Sequence, residues 1–153
     1  MRLERSQIIP AGIDEVWAFF SNPHNLARIT PDSMSFSIVD APERDLKLHD
    51  VIHYRLRVAG IPIRWVSEIT EWNEGVSFVD LQIRGPYRWW HHRHSFEQTP
   101  DGIRMTDEVD YELPLGALGE LVAGWFVERQ LEQIFAHRER VICETFDHTP
   151  GSS

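Results

Sequence analysis

Between Met34 and Leu113 hydrophobic and polar positions mostly alternate with a period of two, and on either side of this block the apolar spacing turns helical. Leu3 to Pro10 alternates only loosely, but Ile8-Ile9 and the terminal Pro10 suit a first strand. Over Ile13 to Phe20 the apolar Ile13, Val16, Trp17 and Phe20 recur at helical spacing, with Asp14 and Glu15 at the favourable N-terminal end. Asn22-Pro23 stops this helix and starts a second short one, with Asn as N-cap and Pro at the first helical position. The second helix ends before Thr30-Pro31, because a residue before proline avoids the helical region.

Six strands are predicted next. Met34 to Val39 alternates and reads as a strand. Ile52, Tyr54, Leu56 and Val58 share one face of the following strand, with His53, Arg55 and Arg57 on the other, the pattern of a half-buried antiparallel strand. Gly60-Ile61-Pro62 turns the chain, and Ile63, Trp65, Ser67 and Ile69 share the next inward face. Asn73-Glu74-Gly75 leads into Val76 to Ile83, where Phe78, Asp80 and Gln82 share a face of undecided direction. After Gly85-Pro86 comes an aromatic and basic run, in which Trp90, His92, His94 and Phe96 form one face and Tyr87, Trp89, His91, Arg93 and Ser95 the other. Trp90 and Phe96 bracket the first face and turn it inward. The turn at Thr99-Pro100-Asp101-Gly102 leads to a last strand. Its inward face holds Ile103, Met105, Asp107, Val109, Tyr111 and Leu113, and its wet face Arg104, Thr106, Glu108, Asp110 and Glu112.

Pro114 ends the strands. From Leu115 to Phe146 the apolar stripe changes phase: Leu118, Leu121, Val122 and Trp125 lie opposite Val127, Leu131, Ile134, Phe135, Val141 and Ile142 on a helical wheel. This predicts a short helix near 115–122, a break around Gly124 and a long C-terminal helix near 125–146. The simplest closure of these pieces is an α+β fold, a highly curved seven-stranded antiparallel sheet around one long helix. Such a sheet does not lie flat on the helix, and the void between them suits a small apolar ligand.

Composition narrows the functions. The 153 residues are one domain's worth, read as a single unit over 1–147 with a frayed, disordered tail at 148–153. The net charge of -9 argues against nucleic acid and anionic membrane surfaces as partners. Cys143 is the one cysteine, so no internal disulfide forms, and no apolar run has the length of a signal peptide core or a membrane span. The expectation is a cytoplasmic protein without integral membrane association; its oligomeric state is left open.

The element order resembles the helix-grip fold of the START-like superfamily (SRPBCC), which includes birch-pollen-allergen-like, polyketide cyclase and coenzyme Q-binding-like proteins. The resemblance runs from about Leu3 to Phe146 and is closest to small bacterial members. It is carried by Pro10 with Val16-Trp17, Ile29-Thr30-Pro31, Phe78-Val79-Asp80, Gly85-Pro86-Tyr87, Trp90-x-His92-x-His94-x-Phe96, Asp107-x-Val109-x-Tyr111 and Pro114. It implies a hydrophobic cavity between the sheet and the C-terminal helix for a lipid, isoprenoid, polyketide or similar molecule. The superfamily holds carriers, sensors and enzymes, so fold alone does not choose among them.

The candidate chemistry centres on His92, His94 and Asp107. Their strands are joined by a short hairpin, and its two possible registers put Asp107 opposite either His92 or His94, on the same face in both. A carboxylate there holds the imidazole tautomer and favours its charged form. Three uses are open: a buried polar network that fixes register, a polar anchor for a ligand head group, or general acid–base catalysis as in a cyclase or dehydratase. Tyr54, Trp65, Trp90, Tyr111, Leu131 and Phe135 complete the expected ligand-binding wall, with Tyr54 and Tyr111 as hydroxyl donors. A metal site is not predicted, because His92-x-His94 offers two ligands and only Asp107 could be the third. No cofactor fingerprint is present. A surface-exposed Trp89 or Trp72 beside Tyr87 would instead point to a protein-interaction module.

Overall fold

The computed structural model describes residues 1–147; the tail expected at 148–153 lies outside the described residues. The elements in order are β1 (Arg2–Ile9), α1 (Ile13–Ser21), two 3-10 turns (Pro23–Ala27 and Asp32–Met34), β2 (Ser37–Asp40), β3 (Val51–Val58), β4 (Ile61–Asn73), β5 (Ser77–Arg84), β6 (Trp89–Thr99), β7 (Gly102–Glu112) and α2 (Gly116–Thr145). The strands form one antiparallel seven-stranded sheet in the order β1-β7-β6-β5-β4-β3-β2. Strands β2 to β7 follow one another as a meander, and β1 returns to pair with β7. The expected helix-grip architecture is therefore the observed one.

Local chemistry explains two of the element ends. Asn22 caps the first 3-10 turn by accepting a hydrogen bond from the His24 amide at 3.0 Å, with Pro23 just inside it. Ser35 is left-handed (φ 48°) and separates the second 3-10 turn from β2, so the strand expected from Met34 begins only at Ser37. The inward faces of β3, β4 and β7 fall where alternation places them: Ile52, Leu56, Trp65, Ile69 and every second residue from Ile103 to Leu113 are buried.

Two expectations are corrected, and one open direction is resolved. Residues 116–145 form one continuous helix, with no break at Gly124. The phase change divides what the helix touches, not its axis. Leu131, Phe135, Arg138 and Ile142 are buried against the sheet, while Leu121 (84% exposed) and Trp125 face outward. Tyr87 does not share the outer face of Trp89. The Gln82 side chain clamps the β5–β6 turn, donating to the Tyr87 carbonyl at 2.7 Å and accepting from its amide at 3.2 Å, and this breaks the alternation. The Tyr87 ring packs on Trp90 and Trp65 instead. Trp72 packs edge-on against Trp17, so no exposed Trp–Tyr87 patch forms. The face of Phe78 and Asp80 on β5, undecided from the sequence, turns inward, and Arg93 on the outer side pairs with Glu71 at 3.0 Å.

The interior holds two apolar clusters. One gathers Trp17, Phe20, Phe78, Phe96, Met105 and Ile142; the other gathers Leu56, Trp65, Trp90, Val109, Leu131 and Phe135. On β6, β7 and α2 the buried polar residues lying between the two sets in sequence are His92 with His94, Asp107 and Arg138, and Asp80 on β5 sits opposite His92. A polar belt thus crosses the core. No helix among the described residues is long and apolar enough to cross a membrane.

Candidate functional site

The site is assembled by cross-strand pairing, since directly opposed residues point to the same face. His92 opposes Asp80 on β5, and His94 opposes Phe78 on β5 and Asp107 on β7. Of the two registers left open by the sequence, the observed one is thus His94 opposite Asp107. The side-chain contacts run diagonally. The His92 Nε2–H donates to Asp107 Oδ1 at 2.8 Å, and the His94 Nε2–H donates to Asp80 Oδ2 at 2.6 Å. The two imidazoles stack with centroids 3.7 Å apart, and Phe78 stacks on the far side of His94 at 4.2 Å. These stacks leave each ring little freedom to turn.

Arg138 is the member that sequence reasoning missed. It reaches down from α2 and places Nη2 3.2 Å from Asp107 Oδ1 and 3.3 Å from His94 Nδ1. The signal was available: Arg138 falls on the same helical stripe as Leu131, Phe135 and Ile142, and a lone charge on a buried stripe demands a partner. Asp80 was seen but not aimed. Its inward direction follows from the pairing of β5 with β6, which alternation within β5 alone does not fix.

The electrostatics are those of a compensated cluster. Burial pushes the Asp107 carboxyl up, but Arg138 and the two histidines outweigh it and hold Asp107 well below the usual carboxylate range. Burial likewise opposes the Asp80 charge, and His92 and His94 bring it below its ordinary value. Burial, reinforced by the neighbouring His94, lowers His92. For His94 burial also favours the neutral ring, but the contacts with Asp107 and Asp80 prevail and raise it. His94 Nδ1 lies 3.4 Å from Asp107 Oδ1, so each ring nitrogen of His94 has a carboxylate beside it. His92 turns Nε2 to Asp107 and holds Nδ1 3.6 Å from Asp80 Oδ2. The cluster thus sets two carboxylates against one guanidinium and two imidazoles.

Against this belt lies a cavity of about 600 Å³ between the sheet and α2. Tyr54, Trp65, Trp90, His92, His94, Leu131 and Phe135 line it as expected, joined by Asp80, Tyr87 and Arg138. Asp107 and Tyr111, expected on the wall, are not among the lining residues. Asp107 sits behind the imidazoles, and Tyr111 is covered by Tyr87 and Trp90. Burial, then the Asp80 charge, pushes the Tyr54 phenol well above its ordinary value, so it remains a hydrogen-bond donor. Leu118, Val122 and Phe126 line the cavity yet are at least half exposed, which places its mouth along the first turns of α2.

Comparison with known proteins agrees with this geometry. An aromatase/cyclase from Streptomyces sp. R1128 superposes with a TM-score of 0.74 at 15% identity, covering 96% of this chain and 93% of that one. A START superfamily protein from Mycobacterium smegmatis gives 0.69 at 13% identity, with 97% and 99% covered. The major latex-like protein 151 of Panax ginseng gives 0.69 at 16%, with 95% and 97% covered. At these identities the likeness is one of fold. No curated protein matches the sequence. The sequence model of one family, described as polyketide cyclase / dehydrase and lipid transport, matches residues 1–141. With nearly the whole chain matched and a helix-grip cavity in place, the protein belongs to the polyketide cyclase / dehydrase and lipid transport family.

Proposed function

We propose that this protein binds one small, mainly apolar molecule whose single polar group docks on the belt of Asp80, His92, His94 and Arg138. The cavity carries the proposal. Its volume of about 600 Å³ falls within the roughly 300–1,000 Å³ usual for ligand sites, and its wall is mainly aromatic and aliphatic, with the ionisable carboxylate, imidazole and guanidinium groups gathered at that one belt. Trp65 and Trp90, with Leu131 and Phe135 facing them, give the apolar body a rigid surface. The belt offers both an acceptor, the His92 Nδ1 lone pair, and donors on His94 and Arg138, which suits a carbonyl or hydroxyl group. A lipid, isoprenoid or polyketide-like molecule has this chemistry.

Native mass spectrometry of freshly purified protein, followed by solvent extraction, tests the proposal. A defined apolar molecule in about one-to-one ratio is the expected result. If no apolar molecule co-purifies and none of a panel of such molecules quenches the Trp65 and Trp90 fluorescence, the reading is wrong.

One observation favours a second reading, an acid–base enzyme. His94 on the cavity wall is raised by its contacts with Asp107 and Asp80 while burial lowers His92 beside it, so two stacked imidazoles with oppositely shifted proton affinities stand side by side. Under that reading turnover collapses in His94→Ala or Asp107→Asn while the fold and apolar binding survive.

A further inference from the structure

We propose that Asp80, His92 and His94 form a binding site for a divalent transition metal, zinc or ferrous iron in type, with Asp107 as the group that orients it. This goes beyond the apolar cavity and stands whatever fills it.

The geometry points there. Among the described residues, Asp80, His92 and His94 each present one ligand atom, and these atoms all lie within 4.8 Å of one another. They come from two adjacent strands, held by the ladder that opposes His92 to Asp80. All three side chains line the cavity. A tetrahedral ion with bonds of about 2.1 Å spaces its ligand atoms by roughly 3.4 Å. His92 Nδ1 and Asp80 Oδ2 are 3.6 Å apart, close to that spacing. His94 Nε2 and Asp80 Oδ2 are 2.6 Å apart, so the Asp80 carboxylate, which is not held in the ring stack, need only draw back by about 0.8 Å to admit the ion. Two imidazoles and one carboxylate on one side leave the remaining positions open toward the cavity, the arrangement of a reactive rather than a closed structural site.

The second observation is behind the rings. A metal-bound histidine donates its other N–H to a carboxylate or carbonyl, which fixes the tautomer. Here one oxygen, Asp107 Oδ1, faces both outer nitrogens: His92 Nε2 at 2.8 Å and His94 Nδ1 at 3.4 Å. That single carboxylate leaves His92 Nδ1 and His94 Nε2 as the two inner ligands, both aimed at Asp80. Arg138, 3.2 Å from the same oxygen, keeps Asp107 ionised and in place. The ion takes the position of the proton now between His94 and Asp80, and that proton leaves to solvent. An ion there would polarise the polar group of whatever enters the cavity.

The test uses the full chain, stripped of metal, given one equivalent of Zn2+, dialysed and assayed for metal content. About one zinc per chain is expected to remain, and Co2+ in its place should show the strong visible absorption of a four- or five-coordinate site. Asp80→Ala should lose at least 100-fold in affinity. Asp107→Asn, which touches no ion, should lose about 10- to 100-fold. His53→Ala, on the outer face of β3, should lose none. A readout independent of any variant's folding is the NMR spectrum of the unaltered protein, in which Zn2+ should shift resonances of Asp80, His92 and His94 first. No retained zinc, or zinc that shifts only surface histidines and is held equally by folded Asp80→Ala, overturns the proposal.

Discussion

His92 and His94 titrate in opposite directions on folding, and this shapes the pH dependence of stability. His94 is raised in the folded protein by Asp107 on β7 and Asp80 on β5, against burial and Arg138 on α2. Its contribution is complete below the ordinary histidine value of about 6.5 and is lost as pH rises through the higher folded value. His92 is lowered, chiefly by burial, so the unfolded chain takes up the proton first and stability falls as pH drops below about 6.5. Asp80 and Asp107, both depressed, add a further loss only at acid pH below the usual carboxylate range. Denaturant titrations across pH should therefore show a maximum near 6.5, and His94→Gln should remove the alkaline decline while leaving the acid one. An unchanged alkaline limb in that variant refutes the assignment. The sequence made His92, His94 and Asp107 legible because alternation on β6 and β7 fixes their shared face. It left Asp80 undecided, since its direction depends on which strand lies beside β5. It passed over Arg138, although a charge on the apolar stripe of Leu131, Phe135 and Ile142 already called for a buried partner; only the identity of that partner, Asp107 on β7, needed the fold.

At the scale of elements, α2 does two jobs along one axis. Its second half is core, and its first half is the edge of the cavity mouth, with Leu118, Val122 and Phe126 lining it. The change of apolar phase was readable in the sequence, but its meaning was not: a break in the helix and a change in what it faces leave the same mark. The helix begins in a cramped corner. Leu115 is left-handed (φ 68°), and a Cβ on Gly119 would collide with the Pro114 carbonyl oxygen. Glycine to alanine in an exposed helix usually stabilises by a fraction of a kcal/mol to about 1 kcal/mol. Here the sign should reverse. Gly119→Ala should cost about 1–3 kcal/mol by denaturant melting, as overpacking does, and should weaken apolar ligand binding by displacing the mouth. A stabilised variant would show that the first turn of α2 yields freely.

For the whole molecule, the order of strands matters more than their number. The meander β2 to β7 is made of neighbours, whereas Leu3 on β1 pairs with Val109 on β7. Closing so long a loop is entropically late, so β1 should join after the meander has formed. Leu3 is buried, and Leu3→Ala should destabilise by about 2–5 kcal/mol. Stopped-flow kinetics should place nearly all of that loss in faster unfolding, with the folding rate little changed. A slowed folding rate would put β1 in the nucleus instead. The same pairing sets a timetable for synthesis. β1 is made early, yet its partner strand leaves the ribosome about 100 residues later, which at ~5–20 residues per second is a wait of roughly 5 to 20 s. Throughout that interval Leu3 and Ile9, buried in the finished sheet, travel with no sheet to join, so the apolar surface of β1 is more open in the newborn chain than it ever is in the folded one.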